Sequence, residues 1–398
     1  MQSPARQFSA QEVAAIRRVT TPLAELAHTP PRPVVRVLIV NADSRIVPLI
    51  RLHLEARHFI VDYAPHGPGA VARIKKLMPD VVVLDVPSST PVSLEVLRFI
   101  RSENLDMAVI VITSDHSNDL AIEALRSGAD DYLRTPFTSQ EFDAELDRVI
   151  GRLISQRESA AQQRQLGMQL ARAAEIQAEL LPREFPSMAG FELSARCVSA
   201  HWVGGDFYDW QQAAPNLVKL TVGDVMGKGM PAALLMAAVR TVLRTVASDN
   251  EPAEAVQSMA ATLDDDLGRS GVFVTLFHAQ LDTATAQLTF VDAGHGYALL
   301  RRADGTVRAL TPWSLPLGIV SDERYQGGCV TLDPGDALVV YTDGLKEARP
   351  DLWPTSDALA AYITNEMTPA AIVESLLDKA KAAGPLNDDI TLVVLRRS

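Results

Sequence analysis

The spacing of hydrophobic positions changes twice along the chain, and each change predicts a different kind of structure. Between residues 34 and 150, apolar runs alternate with segments of helical periodicity. The runs are VVRVLIV (34–40), VVVLDV (81–86) and MAVIVIT (107–113). A helix is predicted over 44–57, and Gly128 in ALRSGADDYL ends another helix before a further strand. Strands that are apolar on both faces and separated by helices predict an α/β doubly wound domain with a parallel sheet.

Residues 138–181 form a long helical segment that is almost free of glycine and proline. Its apolar positions step by four, three and four residues, which is the beginning of a heptad pattern. These positions are Phe142, Leu146, Val149 and Leu153. The pattern weakens after residue 160, which argues against a strong coiled coil. We therefore expect a helical linker that is only coiled-coil-like and through which two copies form a homodimer. A single amphipathic connector is the alternative.

The first 33 residues are predicted to form a short helical arm. Ser9 and Glu12 have the spacing of a capping box at a helix start. Three prolines, at positions 30, 31 and 33, would end that helix. The alternating strand and helix pattern of residues 34–150 begins directly afterwards.

From residue 182 to 398 strands outnumber helices. Alternating runs predict strands over 218–225, 272–281, 286–293, 336–344 and 388–395, and helices are predicted over 230–248, 252–267 and 369–383. Strands that follow one another in this way favour antiparallel sheets with helices packed outside, an α+β domain. Within the first of these helices, four residues are expected to face the core. They are Leu234, Leu235, Ala238 and Leu243.

Composition limits the class of protein. The chain has 398 residues, 47% hydrophobic and 22% charged, which is ordinary for globular protein and predicts two to three domains. Charges interrupt every apolar stretch before the roughly 18 residues that a membrane helix needs, and the first residues lack the apolar core of a signal peptide. Cys197 and Cys329 are too few to frame a disulfide scaffold. We therefore expect a cytoplasmic protein without a membrane partner.

Negative charge is concentrated in the second half. Residues 182–398 carry 17 Lys and Arg against 27 Asp and Glu, a net charge of −10 out of −12 for the whole chain. Proteins that bind the nucleic-acid backbone need clustered positive charge, so neither nucleic-acid binding nor a DNA-binding response regulator is favoured. The acidity indicates either a solvated surface or carboxylates that hold a metal ion.

Residues 34–150 resemble a response-regulator receiver domain. Asp85 ends the run VVVLDV, Thr113 ends VIVIT, and GADDYL is followed by Pro-Phe at 136–137. The resemblance implies a five-stranded sheet with a site at the carboxyl ends of its strands. It also implies that Asp85 is the phospho-acceptor and that Thr113 and Tyr132 are the switch residues.

Three places depart from the receiver pattern. Asn41 and Ala42 occupy the positions of the acidic pair that holds magnesium, and Asp43 follows one position too late. Thr135 replaces the lysine that contacts the phosphoryl group, and the loop after Asp85 is also unusual. A transferred phosphoryl group needs cations on its oxygens. We therefore predict a degenerate receiver that is phosphorylated poorly or not at all; the alternative is that Asp85 remains an active acceptor.

Four acidic motifs follow one another in the second half of the chain. They are VGGDFYD (203–209), VGDVMGKGMPAALLM (222–236), YTDGLKEAR (341–349) and NDDITLVVL (387–395). One Asp-Gly pair is ordinary turn chemistry. Four aspartates at the ends of separate apolar strands instead favour a hard-cation site, where two ions could activate a water and hold a phosphoryl oxygen.

Residues 172–398 resemble the PPM-type, metal-dependent serine/threonine phosphatases of the SpoIIE/RsbU branch. Besides the acidic motifs, the similarity covers AAEIQAELLP (173–182), FVTLF (273–277), DAGHG (292–296) and LPLGI (315–319). The resemblance implies an antiparallel β-sandwich flanked by helices. It further implies phosphatase activity that depends on two Mn²⁺ or Mg²⁺ ions.

The resemblance also implies a role for each acidic residue. Asp224 would bridge the two ions, with the backbone carbonyl of Val225 as a further ligand. Asp343 and Asp388 would hold one ion, and Asp206 would contribute to the other. The predicted metal site comprises Asp206, Asp224, Val225, Asp343, Asp388 and Asp389. The nucleophile would be a hydroxide held by the metal ions, with no catalytic residue beyond the metal ligands.

Four further residues complete the predicted site region. His295 is expected to be structural, and Lys228 either meets the substrate phosphate or faces solvent. Met226 stands where the family has a small residue and Asp292 where it has asparagine, and neither change removes a predicted ligand.

The two resemblances imply a signalling phosphatase whose substrate is a phosphorylated anti-sigma-factor antagonist. In this scheme the receiver and the linker set the conformation of the phosphatase domain. A non-catalytic adaptor that binds a sigma factor or its regulators is the alternative, but the complete set of carboxylates favours the enzyme. The expected domains are an arm (1–33), a receiver-like domain (34–150), a helical linker (138–181) and a phosphatase domain (182–398).

Overall fold

The computed structural model describes residues 35–41, 47–86, 94–114, 118–186, 188–247 and 250–398. The arm predicted over 1–33, the residues Ala42 and Asp43, and the loop that follows Val86 lie outside the described residues. The chain divides into two compact units, Met1–Gln162 and Gln163–Ser398. Within the described ranges, no helix is both long enough and apolar enough to cross a lipid bilayer.

The first unit contains a parallel five-stranded sheet in the order β2-β1-β3-β4-β5. The strands are β1 (Arg36–Asn41), β2 (Ile60–Pro65), β3 (Val81–Val86), β4 (Ala108–Thr113) and β5 (Asp131–Arg134). Between them come the helices α1 (Val47–Ala56), α2 (Pro68–Leu77), α3 (Glu95–Ser102) and α4 (Asn118–Arg126). Buried apolar clusters cover both faces of the sheet, which confirms the predicted doubly wound fold.

Strand β2 was not predicted from the apolar runs. It lies at an edge of the sheet, where Ile60 and Tyr63 are 43% and 50% exposed. An edge strand needs no continuous apolar run, so its sequence, IVDYAP, carries a weaker signal than that of the central strand β3.

A single helix, α5 (Ser139–Leu180), follows β5. Thr138 and Glu141 form a reciprocal capping box at its start: the Thr138 amide donates to the Glu141 carboxylate at 2.7 Å and the Glu141 amide to the Thr138 hydroxyl at 3.2 Å. Farther along, Arg157 donates to Asp80 at 2.6 Å and to Asp106 at 2.7 Å.

The apolar side chains of the first half of α5 belong to the core of the first unit. The four residues that suggested a heptad pattern are all buried in the cluster that covers one face of the parallel sheet. They are Phe142, Leu146, Val149 and Leu153. The prediction that they begin a coiled-coil seam is wrong, because a helix packed on a sheet repeats its apolar positions every three to four residues as well. The homodimer stays a prediction.

The second unit contains two β-sheets. One has the strand order β13-β10-β9-β8-β7, with β14 also paired to β10, and the other has the order β12-β11-β15-β16-β6. The strands are β6 (Phe191–Val198), β7 (Phe207–Ala214), β8 (Leu217–Val225), β9 (Val274–Asp282), β10 (Gln287–Ala293), β11 (Ala298–Arg301), β12 (Val307–Ala309), β13 (Trp313–Ser314), β14 (Gly328–Thr331), β15 (Ala337–Tyr341) and β16 (Ile390–Arg397). Neighbouring strands are antiparallel except for the pair β10–β13.

The two sheets face each other across a common core. That core joins residues of both sheets, such as Phe277 and Phe290 from one and Val340 and Val393 from the other. Helices α6 (Met230–Val246) and α7 (Pro252–Ser270) cover the outer face of the first sheet. Helices α8 (Asp343–Ala348), α9 (Ser356–Ala360) and α10 (Pro369–Lys381) pack outside the second. The predicted sandwich flanked by helices is confirmed.

The core-facing side of α6 differs from the prediction. Leu243 is buried and Leu235 is partly buried, but Leu234 is 66% exposed and Ala238 is exposed. The buried stripe instead runs through Ala232, Met236, Val239 and Leu243. The helix is apolar around most of its first two turns, so hydrophobicity alone did not indicate which side faces the core.

Candidate active site

Four of the predicted acidic residues lie at the ends of elements of the second unit. Asp206 directly precedes β7 and Asp224 is the penultimate residue of β8. Asp343 is the first residue of α8, and Asp388 lies two residues before β16. Both sheets therefore contribute acidic residues to the candidate site, as expected for residues that meet at one edge of a sandwich.

Contacts and charge show that these carboxyl groups are neighbours. Asp206 is 4% exposed, and a side-chain hydrogen bond joins its carboxyl group to that of Asp224. The hydroxyl of Thr342, which directly precedes Asp343, donates to the Asp206 carboxyl at 2.7 Å. The same hydroxyl accepts the amide of Thr391 at 2.8 Å, so it joins the ends of β15 and β16 to Asp206.

The carboxyl groups of this cluster disfavour one another's ionisation. Burial, followed by the charge of Asp224, raises the pKa of Asp206 well above its usual range. Burial and the charges of Asp343 and Asp388 raise the pKa of Asp224 to about 7. Burial and the charge of Asp388 likewise raise the pKa of Asp343. Crowded carboxylates of this kind are relieved by a bound cation, and oxygen donors are what Mg²⁺ and Mn²⁺ prefer.

Lys228 supplies one positive charge to the cluster. Its ammonium group lies 2.7 Å from the Asp388 carboxylate and also donates to the carbonyl of Asn387 at 2.7 Å. Within the described ranges, no group of three or more His, Cys, Asp or Glu side chains is gathered closely enough to hold a metal ion as it stands. The donor chemistry fits divalent cations, and Lys228 occupies part of the place that a cation bound to Asp388 would take.

Asp389 uses both carboxylate oxygens to hold a loop. One oxygen accepts the amide of Ala200 at 2.8 Å and the other accepts the amide of Gly205 at 2.9 Å. The segment that leads to Asp206 is thereby fastened to the start of β16. Thr342 and Asp389 both lie inside motifs noted in the sequence. Their role in holding backbone groups could not be predicted there, because their partners lie 49 and 189 residues away along the chain.

Two glycines of the acidic motifs allow close backbone approach. A Cβ atom on Gly205 would collide with the carbonyl oxygen of Val225, and one on Gly344 would collide with the carbonyl oxygen of Asp389. The amide of Val225 also donates to the Gly205 carbonyl, at 3.4 Å. The backbone of Val225, predicted to offer a carbonyl ligand, therefore lies directly against the Gly205 turn.

Two other residues of the predicted site region have structural contacts. His295 is 3% exposed, its ring lies 3.4 Å from the Thr275 hydroxyl, and burial lowers its pKa to about 4. Asp292 is 1% exposed and accepts the amides of His295 at 2.7 Å and of Gly296 at 3.0 Å. Burial raises the pKa of Asp292 to about 6 despite these two donors.

Asp209, the second aspartate of VGGDFYD, is the most deeply buried member of an ion-pair network. Arg244 donates to its two oxygens at 2.6 and 2.8 Å, and Arg240 lies 3.2 Å away. The Asp209 side chain is 2% exposed and that of Arg240 10%. This network joins α6 to β7.

The receiver-like site of the first unit is described only in part. Asp85 is half-buried in β3, and burial lowers the pKa of the neighbouring His66 against the opposing effect of the Asp85 charge. Thr113 is buried, and its carbonyl accepts the amide of Thr135 at 2.8 Å. Tyr132 is half-buried, with the Arg134 guanidinium 5.7 Å from its ring centre. The structure thus brings Asp85 beside a histidine.

Two parts of the chain match known protein families. Residues 37–147 match the response regulator receiver domain family, and residues 215–398 match the family Stage II sporulation protein E (SpoIIE). Phosphoserine phosphatase RsbU of Bacillus subtilis is 28% identical over 246 residues, which cover 59% of this chain and 72% of RsbU.

Two further similarities cover parts of the chain. Transcriptional regulatory protein TrcR of Mycobacterium tuberculosis is 32% identical over 118 residues, 30% of this chain and 46% of TrcR, so the match spans less than half of that relative. The solved SiaA-PP2C domain of Pseudomonas aeruginosa is 22% identical, with a TM-score of 0.51; the match covers 60% of this chain and all of that domain. This structural likeness shows a shared fold.

Proposed function

Because residues 37–147 form a receiver domain and residues 215–398 form a SpoIIE-family domain, we propose that this chain dephosphorylates a signalling protein under the control of its receiver domain. The C-terminal domain is a serine/threonine protein phosphatase domain of the PPM type, and phosphatases of this type use divalent metal ions. The observation that carries the proposal is the cluster of Asp206, Asp224 and Asp343, in which burial and the charge of a neighbouring carboxylate raise the pKa of each carboxyl group.

We propose that two divalent ions, Mn²⁺ or Mg²⁺, bind at this cluster. Asp206, Asp224, Asp343 and Asp388 would hold them, together with the carbonyl of Val225. When bound, such ions activate water and neutralise the oxygens of a phosphoryl group. Asp389 was also predicted as a ligand. Because its two oxygens already accept backbone amides, we propose that it holds the loop before Asp206 instead.

The chain's own residues prepare this site. Thr342 orients the Asp206 carboxyl by donating its hydroxyl proton at 2.7 Å. Lys228, 46% exposed at its side chain, is long and flexible enough to leave Asp388 and meet a phosphoryl oxygen of the substrate. A cation at Asp388 would favour that exchange, because it would take the place of the ammonium group.

The substrate that we propose is a phosphoserine or phosphothreonine on an anti-sigma-factor antagonist. The proposal rests on the similarity to phosphoserine phosphatase RsbU, which covers most of that relative. The receiver domain would act as a regulatory module without phosphorylation of its own, since Thr135 stands at the position of the phosphate-binding lysine. Pairing of two copies through α5 is part of the same proposal.

The test is metal-dependent turnover by the full-length chain. Hydrolysis of p-nitrophenyl phosphate is measured with Mn²⁺, with Mg²⁺ and with EDTA, and removal of phosphate from a phosphorylated antagonist protein is followed by intact mass. Asp224→Asn and Asp343→Asn should abolish both activities with unchanged circular dichroism, whereas the exposed Asp304→Asn should behave as wild type. Turnover that persists in EDTA, or in both site variants, would contradict the metal assignment.

A folded protein without turnover on any substrate would favour the adaptor function instead. Binding of the unphosphorylated antagonist or of a sigma factor, measured by calorimetry, then distinguishes an adaptor from an enzyme whose substrate was not supplied.

A further inference from the structure

The last turn of α5 contacts the loop that leads to Asp206. The side-chain amide of Gln177 donates to the carbonyl of Gly204 at 2.6 Å, and its oxygen accepts the Gly204 amide at 3.0 Å. The Gln177 carboxamide thus bonds both the N–H and the C=O group of Gly204, as a neighbouring backbone segment would. It fixes the direction of the Gly204 backbone as well as its position.

Other elements hold the same loop from different directions. Asp389 accepts the amide of Gly205 at 2.9 Å, and the amide of Val225 donates to the Gly205 carbonyl at 3.4 Å. A Cβ atom on Gly204 would collide with the Asp389 carboxylate, so the loop already lies in contact with that side chain. We call Gly204 and Gly205 the Gly-Gly loop; it is held by α5, by the start of β16 and by the end of β8.

Asp206 follows the Gly-Gly loop directly. Because peptide planes are rigid, fixing the backbone at 204 and 205 leaves few positions for the Asp206 carboxyl group. We propose that Gln177 is a positioning residue: it holds the Gly-Gly loop against Asp389 and Val225 and so sets the place of Asp206 for cation binding. This inference rests on the proposed function, since it assigns Asp206 to the cation site.

Attachment of the helix alone does not require this glutamine. Leu181, directly after α5, packs against the apolar clusters on both sides of the first sheet of the sandwich. The two neighbours of Gln177 in the chain add little to this anchoring, since Ile176 is 49% exposed and Ala178 is also exposed. Apolar contact thus anchors the end of the helix, whereas Gln177 contributes directional hydrogen bonds aimed at one loop residue.

The test compares Gln177→Leu with Gln169→Leu in the full-length chain. Leucine has a similar volume and helix propensity to glutamine but forms no hydrogen bond, and Gln169 is an exposed residue of the same helix. Three quantities are measured: hydrogen exchange of the peptide that contains residues 200–206, Mn²⁺ affinity by calorimetry, and kcat/KM with p-nitrophenyl phosphate. Tryptophan fluorescence confirms folding of each variant.

In Gln177→Leu we expect faster exchange of that peptide, and we expect Mn²⁺ affinity and kcat/KM each to fall roughly 5- to 150-fold. The range follows from two neutral hydrogen bonds, each equivalent to a factor of roughly 2 to 12. Gln169→Leu should match wild type in all three measurements. If Gln177→Leu does not fold, Gln177→Glu, which keeps the acceptor and loses the donor, is compared in the same way.

Two results would overturn the inference. One is unchanged exchange in the peptide of residues 200–206. The other is faster exchange with Mn²⁺ affinity and kcat/KM within twofold of wild type, because the loop would then be held without consequence for the site. If wild type itself fails to turn over any phosphate ester, the proposed function fails, while exchange and Mn²⁺ affinity still decide the role of Gln177.

Discussion

The buried carboxyl group of Asp292 should make the stability of the second unit depend on pH. Its pKa is raised from 3.8 to about 6 in the folded chain, chiefly by burial. Folding raises the pKa of this carboxyl group, so its contribution to the unfolding free energy is largest where it is protonated in both the folded and the unfolded state. That is the case below about pH 4. That contribution is lost as the pH rises through about 6, because the folded state then has to ionise a buried group.

The size of the effect follows from the shift. A rise of about two pH units, at 1.36 kcal/mol per unit, corresponds to about 3 kcal/mol of unfolding free energy lost between about pH 4 and pH 6. Asp292→Asn removes the ionisation and keeps an oxygen that can accept the amides of His295 and Gly296. Any loss or gain from the new NH₂ group is the same at every pH. The stability of the variant relative to wild type should therefore improve by up to about 3 kcal/mol across this interval.

Urea denaturation followed by tryptophan fluorescence measures this quantity. All four tryptophans, at positions 202, 210, 313 and 353, lie in the second unit, so the signal reports on that unit. Asp351→Asn is the matched control: Arg349 lowers the pKa of Asp351, so this exposed group stays ionised in both states above pH 5. If the unfolding free energies of wild type and Asp292→Asn change with pH in parallel from pH 4.5 to 7.5, the reasoning is refuted.

Three further predictions concern other charged groups. Asp209→Ala should lower the unfolding free energy of the second unit by about 3 kcal/mol in urea, because Arg240 would remain buried without its partner; a loss below about 1 kcal/mol would contradict the assignment. Lys228→Met should strengthen Mn²⁺ binding in calorimetry by up to roughly fivefold, because an ammonium group no longer competes for Asp388; weaker binding would argue against competition. Incubation with acetyl phosphate and Mg²⁺ should leave the intact mass unchanged, and a gain of one phosphate that is lost in Asp85→Ala would show an active receiver.

The sequence predicted the fold better than the faces of individual helices. Buried strands such as β3 and β4 are apolar throughout, so periodicity and length identify them. Edge strand β2 lacks that signal. On α5, the spacing of Phe142 and Leu146 is compatible with packing on a sheet or on another helix, and only the tertiary structure shows that the sheet is the partner. The same ambiguity led to the wrong orientation for Leu234 on α6.

The candidate site shows a similar limit. Its aspartates lie in recognisable motifs at strand ends, so their types and positions predict the chemistry. The residues that hold them act through backbone groups far away in sequence: Gln177 bonds Gly204 across 27 residues and Asp389 bonds Gly205 across 184. The two glycines are visible in the sequence, but a hydrogen bond to their backbone does not show which distant side chain forms it.

The extent of helix α5 also constrains recombination of this architecture, in evolution or in the laboratory. The receiver match ends at residue 147, yet Leu153 is buried in the core of the first unit and Arg157 still bonds Asp80 and Asp106. A breakpoint at 147 would remove Val149, Ile150 and Leu153 from the upstream fragment and so expose part of an apolar sheet face. The downstream fragment would carry these apolar side chains without the sheet they pack on. Chimaeras that exchange the first unit should therefore cross over between Arg157 and Gln177, where most side chains are exposed. A junction in that range leaves the hydrophobic cores of both units intact.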